Sequence, residues 1–153
     1  MSVLEKSFDI VTGTECCVLT TIDGNGMPNS RALLNLANPG MYPGLADFIS
    51  ERKDSLSVYF STNTSSQKIQ HIRECPKVSA YYFLTNPYRG VMLQGNIKII
   101  GDREVKDRLW QDDWTLYYPE GRLDPDYSVL SLSPSYVKYY CGLHTEEYVF
   151  EDR

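Results

Sequence analysis

The segment Val58-Tyr59-Phe60-Ser61-Thr62-Asn63-Thr64-Ser65-Ser66-Gln67-Lys68-Ile69-Gln70-His71-Ile72 constrains the fold of this chain more than any other. It passes from β-branched and aromatic residues through a hydroxyl-rich bend into apolar residues at helical spacing, so it reads as strand, short loop and helix start. Thr64 and Gln67 have the spacing of a capping box, which starts the helix near Ser65 and satisfies first-turn N–H groups with side chains. The remaining free N–H groups and the positive end of the helix dipole favour an anion the size of a phosphate. Ser61, Thr62 and Ser66 add hydroxyl donors, and Lys68 adds a mobile positive charge. An ordinary capped connection produces the same pattern, so the segment alone leaves both readings open.

The rest of the chain narrows the classes. Its 153 residues fit one domain spanning 1–153, with 42% hydrophobic and 23% charged residues, as in soluble globular proteins. A net charge of −5 argues against a broad nucleic-acid surface, which needs clustered Lys and Arg. There is no apolar run of about 18 residues, and Met1-Ser2-Val3-Leu4-Glu5-Lys6 lacks the plan of a signal peptide, so the expected location is the cytoplasm, with no membrane partner. Cys16, Cys17, Cys75 and Cys141 form no C-x-x-C pair and are expected to be free thiols; His71 and His144 are too far apart in sequence for a close-spaced zinc site.

In chain order, Val3, Leu4, Phe8 and Val11 suit one face of a short helix ended by Thr12-Gly13-Thr14. Residues Cys16 to Ile22 and Pro28 to Leu36 form a hairpin through Asp23-Gly24-Asn25-Gly26. The stretch from 37 to 56, with two Pro-Gly pairs and a brief helical pattern at Leu45, Phe48 and Ile49, is either a lid or a surface insertion. Strands are expected over Val78 to Leu84, Val91 to Ile100, Val129 to Leu132 and Tyr136 to Cys141, with a short one over Glu146 to Phe150. A helix is expected over Asp102 to Trp110. Gly95, inside a strand, marks a bulge or a close backbone approach of the kind that lets a sheet curl. Trp110, Trp114 and Tyr117-Tyr118 suit either a contact between subunits or core packing. Strands dominate and helices are inserted between them, so a small antiparallel barrel is the economical architecture.

Neither histidine lies in a nucleophile motif, and Asp112-Asp113 and Asp124-Pro125-Asp126 read as solvated loop acids. A chain with an anion loop and no evident nucleophile or metal suits chemistry supplied by a bound organic cofactor.

Several of these stretches together resemble the FMN-binding split barrels related to pyridoxamine 5′-phosphate oxidase, in particular the general-stress-protein branch. The resemblance runs from Cys16 to Cys141 and rests on ordered motifs: Val18-Leu19-Thr20-Thr21-Ile22, Ser30-Arg31-Ala32-Leu33, Phe60-Ser61-Thr62-Asn63, Ser66-Gln67-Lys68, Pro76-Lys77-Val78, Gly95 before Ile97, Trp110, Tyr118-Pro119-Glu120-Gly121 and Asp124-Pro125. It implies a mainly β fold, an antiparallel split β-barrel with inserted helices. It implies an FMN-dependent oxidoreductase acting on a small molecule, and a homodimer with FMN at the subunit interface. Arg31, Ala32, Leu33 and Leu34 inherit phosphate and ring contacts from one strand, and Ser61, Thr62, Ser66, Gln67 and Lys68 inherit them from the loop. Gln67 replaces a family arginine, Gly90 a flavin-contacting glutamine, and Tyr140 stands near the family's late tryptophan. The arginine and histidine motif that recognises pyridoxal substrates is absent. The same resemblance leaves open a non-enzymatic flavin- or phosphate-ligand-binding dimer, or a haem- or deazaflavin-binding relative.

Overall fold

Alternation along the strands decides which side of the sheet becomes core. In β1 (Cys16–Ile22) the buried Cys17, Leu19 and Thr21 alternate with the more exposed Cys16, Val18, Thr20 and Ile22, the two-residue period of a strand with one covered face. The computed structural model describes Met1–Arg153. Its helices are α1 (Val3–Gly13), α2 (Ala46–Ser50), α3 (Gln67–Glu74) and α4 (Arg103–Leu109). The remaining strands are β2 (Pro28–Leu34), β3 (Val58–Asn63), β4 (Lys77–Thr85), β5 (Tyr88–Ile100), β6 (Tyr127–Leu132), β7 (Tyr136–Cys141) and β8 (His144–Val149).

All strands pair antiparallel in one curled sheet with the order β2-β1-β4-β5-β6-β3, while β7 pairs β5 and β8 pairs β7. This is the expected split barrel. The curl comes from β5, which changes partner along its length: Arg89–Gln94 pair with β7, and Ile97–Ile100 pair with β6. Gly95 sits at the changeover. A Cβ there would lie 3.1 Å from the Ser133 carbonyl oxygen and 3.2 Å from Pro134 Cα, so backbone passes where a side chain would stand.

Thirty buried apolar residues form the core cluster. Helix α1 carries a full capping box, the Ser2 hydroxyl accepting from the Glu5 N–H at 3.2 Å and Glu5 Oε2 accepting from the Ser2 N–H at 2.8 Å. No helix is long and apolar enough to cross a membrane.

Two sequence expectations change here. The hairpin's second strand stops at Leu34, because the buried Asn35 side chain turns to donate to the carbonyls of Val11 (2.6 Å) and Thr14 (2.8 Å) and accepts from the Ala37 N–H. The 37–56 stretch is neither lid nor surface insertion: Ala37, Tyr42, Leu45, Phe48, Ile49 and Leu56 are core members, so its irregular backbone is held by apolar burial. Trp114 and Tyr118 also belong to the core of one chain: Trp114 packs edge-on to Trp110, and tilted contacts join Trp114 to Tyr127 and Tyr118 to Trp110 and Tyr127.

Strands β2, β1, β4, β5 and β7 leave their other face uncovered. Register places Ala32, Val18, Tyr81, Met92 and Lys138 in one row across it, and Leu34 beside Cys16. Phe83, Gly90 and Tyr140 form a further row. Leu34 is 42% and Phe83 45% exposed, an apolar belt that no element of the chain covers.

Candidate anion-binding site

The bend after β3 departs from its local signal. Thr64 does not cap the helix: its hydroxyl contacts the Pro125 carbonyl oxygen at 3.0 Å and the Ser128 hydroxyl at 2.6 Å. Ser66 takes the cap position in extended backbone without a side-chain cap bond, and the helix starts at Gln67 rather than near Ser65. Asp126 explains the shift, since its carboxylate accepts from the Asn63 amide at 2.6 Å and the Ser65 N–H at 2.8 Å, tying the bend to the loop before β6. These bonds hold its carboxyl below the usual range. The tie is therefore complete above the unfolded carboxylate pKa and is released as pH falls through the lower folded one.

One helical residue in, Lys68 turns back over the bend and donates from Nζ to Thr62 Oγ1 (2.8 Å) and Ser66 Oγ (3.2 Å). Both acceptors are neutral. Arg31, on β2, is anchored through one nitrogen: Nη1 donates to the Leu19 carbonyl (3.2 Å), Thr21 Oγ1 (2.8 Å) and the Asn29 carbonyl (2.9 Å). Its Nε and Nη2, the edge that can fork onto two oxygens of one anion, have no protein partner. Neither cation is in an ion pair.

The two lie close enough to feel each other. Burial first, and then the Arg31 charge, pulls the Lys68 ammonium below its usual value; burial does the same to Arg31. Strands β2 and β3 end the main path of the sheet and do not pair, which leaves the barrel an open seam; Arg31 stands on β2, and Lys68, on α3, is bonded to Thr62 of β3. Like charges gathered in partial burial without a carboxylate are a cost that a bound anion would remove.

Other sequence candidates fall elsewhere. Strand alternation puts Thr62 inward with Lys68 but turns Ser61 to the opposite face, against the Tyr118 phenol. Burial pushes Tyr118 up to about 12, which keeps it a neutral hydrogen-bonding group. Gln67 is exposed at the helix start with no side-chain bond. Leu33 shares the inner parity of Arg31, while Ala32 and Leu34 point to the uncovered belt. Tyr140 stands on that belt opposite Gly90, on the face away from Arg31. Tyr81 leans over Gly90 so closely that a Cβ there would overlap its hydroxyl, and it packs edge-on to Tyr140 at 6.1 Å.

Thr21 and His71 also belong to this neighbourhood, although sequence reading singled out neither as a site residue. The buried Thr21 hydroxyl lies 2.8 Å from Arg31 Nη1 and 2.9 Å from His71 Nδ1. The available signal was parity: Thr21 and Leu19 share the inward side of β1, diagonal and opposite to Arg31 across the hairpin.

Comparison with known proteins gives a consistent picture. The family model described as "Pyridoxamine 5'-phosphate oxidase" matches residues 4–141. A crystal structure of a protein from Clostridium acetobutylicum, related to general stress protein 26 of Bacillus subtilis and described as of the pyridoxinephosphate oxidase family, is 29% identical; the match covers 97% of this chain and 95% of that one with a TM-score of 0.75. General stress protein 26 from Bacillus anthracis strain Sterne shares the fold at 19% identity and TM-score 0.73, covering 98% of this chain and all (100%) of that one. A heme binding protein from Mycobacterium smegmatis shares it at 15% identity and TM-score 0.70, covering 97% of this chain and 58% of that one. A search of curated proteins returns no match.

Proposed function

This chain belongs to the pyridoxamine 5′-phosphate oxidase family, and from that premise we propose that it is an FMN-binding flavoprotein acting as an FMN-dependent oxidoreductase on a small molecule. The observation that carries the reading is the pair Arg31 and Lys68 at the barrel seam, unneutralised by any carboxylate and with the guanidinium edge free. A phosphate monoester fits that chemistry, since the fork of Arg31 takes two oxygens and the ammonium of Lys68 adds a point charge.

Arg31 and Lys68 would hold the phosphate, with Thr62 and Ser66 fixing Lys68 and the Leu19 and Asn29 carbonyls fixing Arg31. Strand β2 pairs only on its β1 side, so half of its backbone donors and acceptors remain for a planar heterocycle. Bound flavin would supply hydride or single-electron transfer. The protein's part is to place it, to exclude water on the core side and to present cations that favour negative charge nearby.

The uncovered apolar belt supports a homodimer. A second copy over Val18, Tyr81, Phe83 and Met92 would bury the belt, and since Tyr140 and Arg31 lie on opposite faces within one chain, a site that used both would draw them from different subunits. The four free cysteines suit a reducing compartment, in keeping with the cytoplasm.

The test is titration of ligand-free protein with FMN and with riboflavin. Tight FMN binding, with riboflavin at least tenfold weaker, supports the phosphate site, about the contribution of one charged hydrogen bond. Absence of FMN binding would defeat the reading. Reduction of the bound flavin by NADH or NADPH with turnover of an added acceptor then separates enzyme from carrier. For the dimer, Val18→Lys is expected to leave the fold intact and halve the mass in sedimentation, as a charge placed in an apolar contact opposes association. A monomeric wild-type protein at micromolar concentration would remove the shared-site model.

A further inference from the structure

The phosphate reading leaves Thr21 and His71 without a role. A guanidinium only donates, so the Thr21 oxygen accepts from Arg31 Nη1 at 2.8 Å, and its single hydroxyl proton is free to go to His71 Nδ1, 2.9 Å away, whenever that nitrogen carries no proton. In that order of donors the imidazole is neutral and carries its proton on Nε2. Thr21 is fully buried, so water does not compete for either bond.

Resting on the FMN reading of the seam, we propose that His71 is a third, titratable member of the anion site, wired to Arg31 through the Thr21 hydroxyl, so that phosphate binding and proton uptake by His71 favour each other. Protonation turns Nδ1 from acceptor into donor. The Thr21 oxygen, with two lone pairs, then accepts from two cations at once while its own proton turns aside. With Lys68 one helical turn away on the same face, three positive charges converge where no carboxylate touches Arg31 or Lys68, and a bound anion would offset them.

The other groups around His71 do not do this work. Asp23, in the turn after β1, is near enough to feel the imidazole, but its carboxylate is already committed to the Met27 and Asn25 N–H groups and the Asn29 amide, and it stays ionised because those bonds hold its pKa low. On α3 itself, Glu74 is exposed and turned towards Gly24, and Arg73 is exposed. Strand β5, also packed on the helix, carries only Arg89 and Lys98 as charged residues. Arg31 stays in place when His71 changes state, since the Leu19 and Asn29 carbonyls still hold Nη1. The added charge, rather than loss of the guanidinium's support, therefore sets the sign: binding tightens as pH falls.

Reciprocity makes the proposal measurable from either side. The chain has two histidines, and His144, exposed in the β7–β8 hairpin, is an internal control. Imidazole resonances of the wild-type protein are titrated with and without saturating FMN. The His71 midpoint is expected to rise by about half a pH unit or more, roughly a threefold or greater gain in proton affinity, while that of His144 stays put. In parallel, the FMN-to-riboflavin affinity ratio is measured from about pH 5 to pH 8, where histidines change charge, in the wild type and in His71→Gln. The ionisation of the phosphate itself is common to both proteins and drops out of the difference. The wild-type ratio is expected to rise more steeply towards acid by the same factor. An unmoved His71 midpoint with FMN bound, or identical pH profiles in the two proteins, overturns this proposal while leaving the FMN site standing. Failure of FMN to bind at all removes both.

Discussion

Arg31→Ala is expected to weaken FMN binding by about 1.5–3 kcal/mol, roughly ten- to a hundredfold, while riboflavin affinity stays nearly constant. The expectation follows from how the guanidinium is held. Nη1 is occupied by two carbonyls and a hydroxyl, so the side chain is already ordered before any ligand arrives, and little entropy is lost when Nε and Nη2 close on an anion. Lys68→Gln is the companion variant: it keeps a donor for Thr62 and Ser66 but removes the charge, and a loss of similar size is expected. The ligand-free proteins separate a binding role from a structural one. Because burial and Arg31 already disfavour the charged Lys68, its neutral replacement is expected to hold or raise thermal stability while affinity falls. Isothermal titration with both flavins and a melting curve on each variant make the measurement. Unchanged FMN affinity in both would mean that the phosphate sits away from the seam.

Trp114→Ala is expected to cost about 3–5 kcal/mol of folding stability, read as a fall in the urea midpoint, with a cavity left among rings that cannot collapse to fill it. Trp114 is 2% exposed and packs with Tyr42, Trp110, Tyr118 and Tyr127 at centroid distances of 6.3, 6.0, 6.5 and 6.1 Å. The cluster also backs the site, since Tyr118 stands against Ser61 on β3, the strand that carries Thr62. A loss of FMN affinity is expected to accompany the loss of stability. The two readings of these aromatics at the sequence level differ in one observable: a ring lost from a core lowers stability at every protein concentration, whereas a ring lost from a subunit contact gives a deficit that varies with concentration.

The sequence carried the elements well and their long-range assembly poorly. Period-two and helical spacings located the strands and helices, with ends moved by a few residues, and Gly95 announced the close approach that lets β5 change partner. The capping box at Thr64 and Gln67 failed because Pro125, Asp126 and Ser128, some 60 residues away, claim Thr64 and Ser65; no local pattern shows that competition. Ser61 and Thr62 look alike in sequence, yet alternation sends them to opposite faces. Arg31 and Lys68 were each nominated, but their meeting depends on the curl of the whole sheet. Outside the brief helical pattern at Leu45, Phe48 and Ile49, the apolar residues from Ala37 to Leu56 lack a period, so the burial of Ala37, Tyr42 and Leu56 was invisible to a reading built on periodicity.

The seam itself has a mechanical corollary. A fully closed barrel fastens its first and last strands with backbone hydrogen bonds, whereas here β2 and β3 end the strand order without pairing. A ligand gripped by Arg31 on β2 and by Lys68, which is bonded to Thr62 on β3, would work as a clasp between two strands that no backbone bond joins. Amide protons on β2 and β3, far apart along the chain, would then slow their exchange together when the clasp is shut.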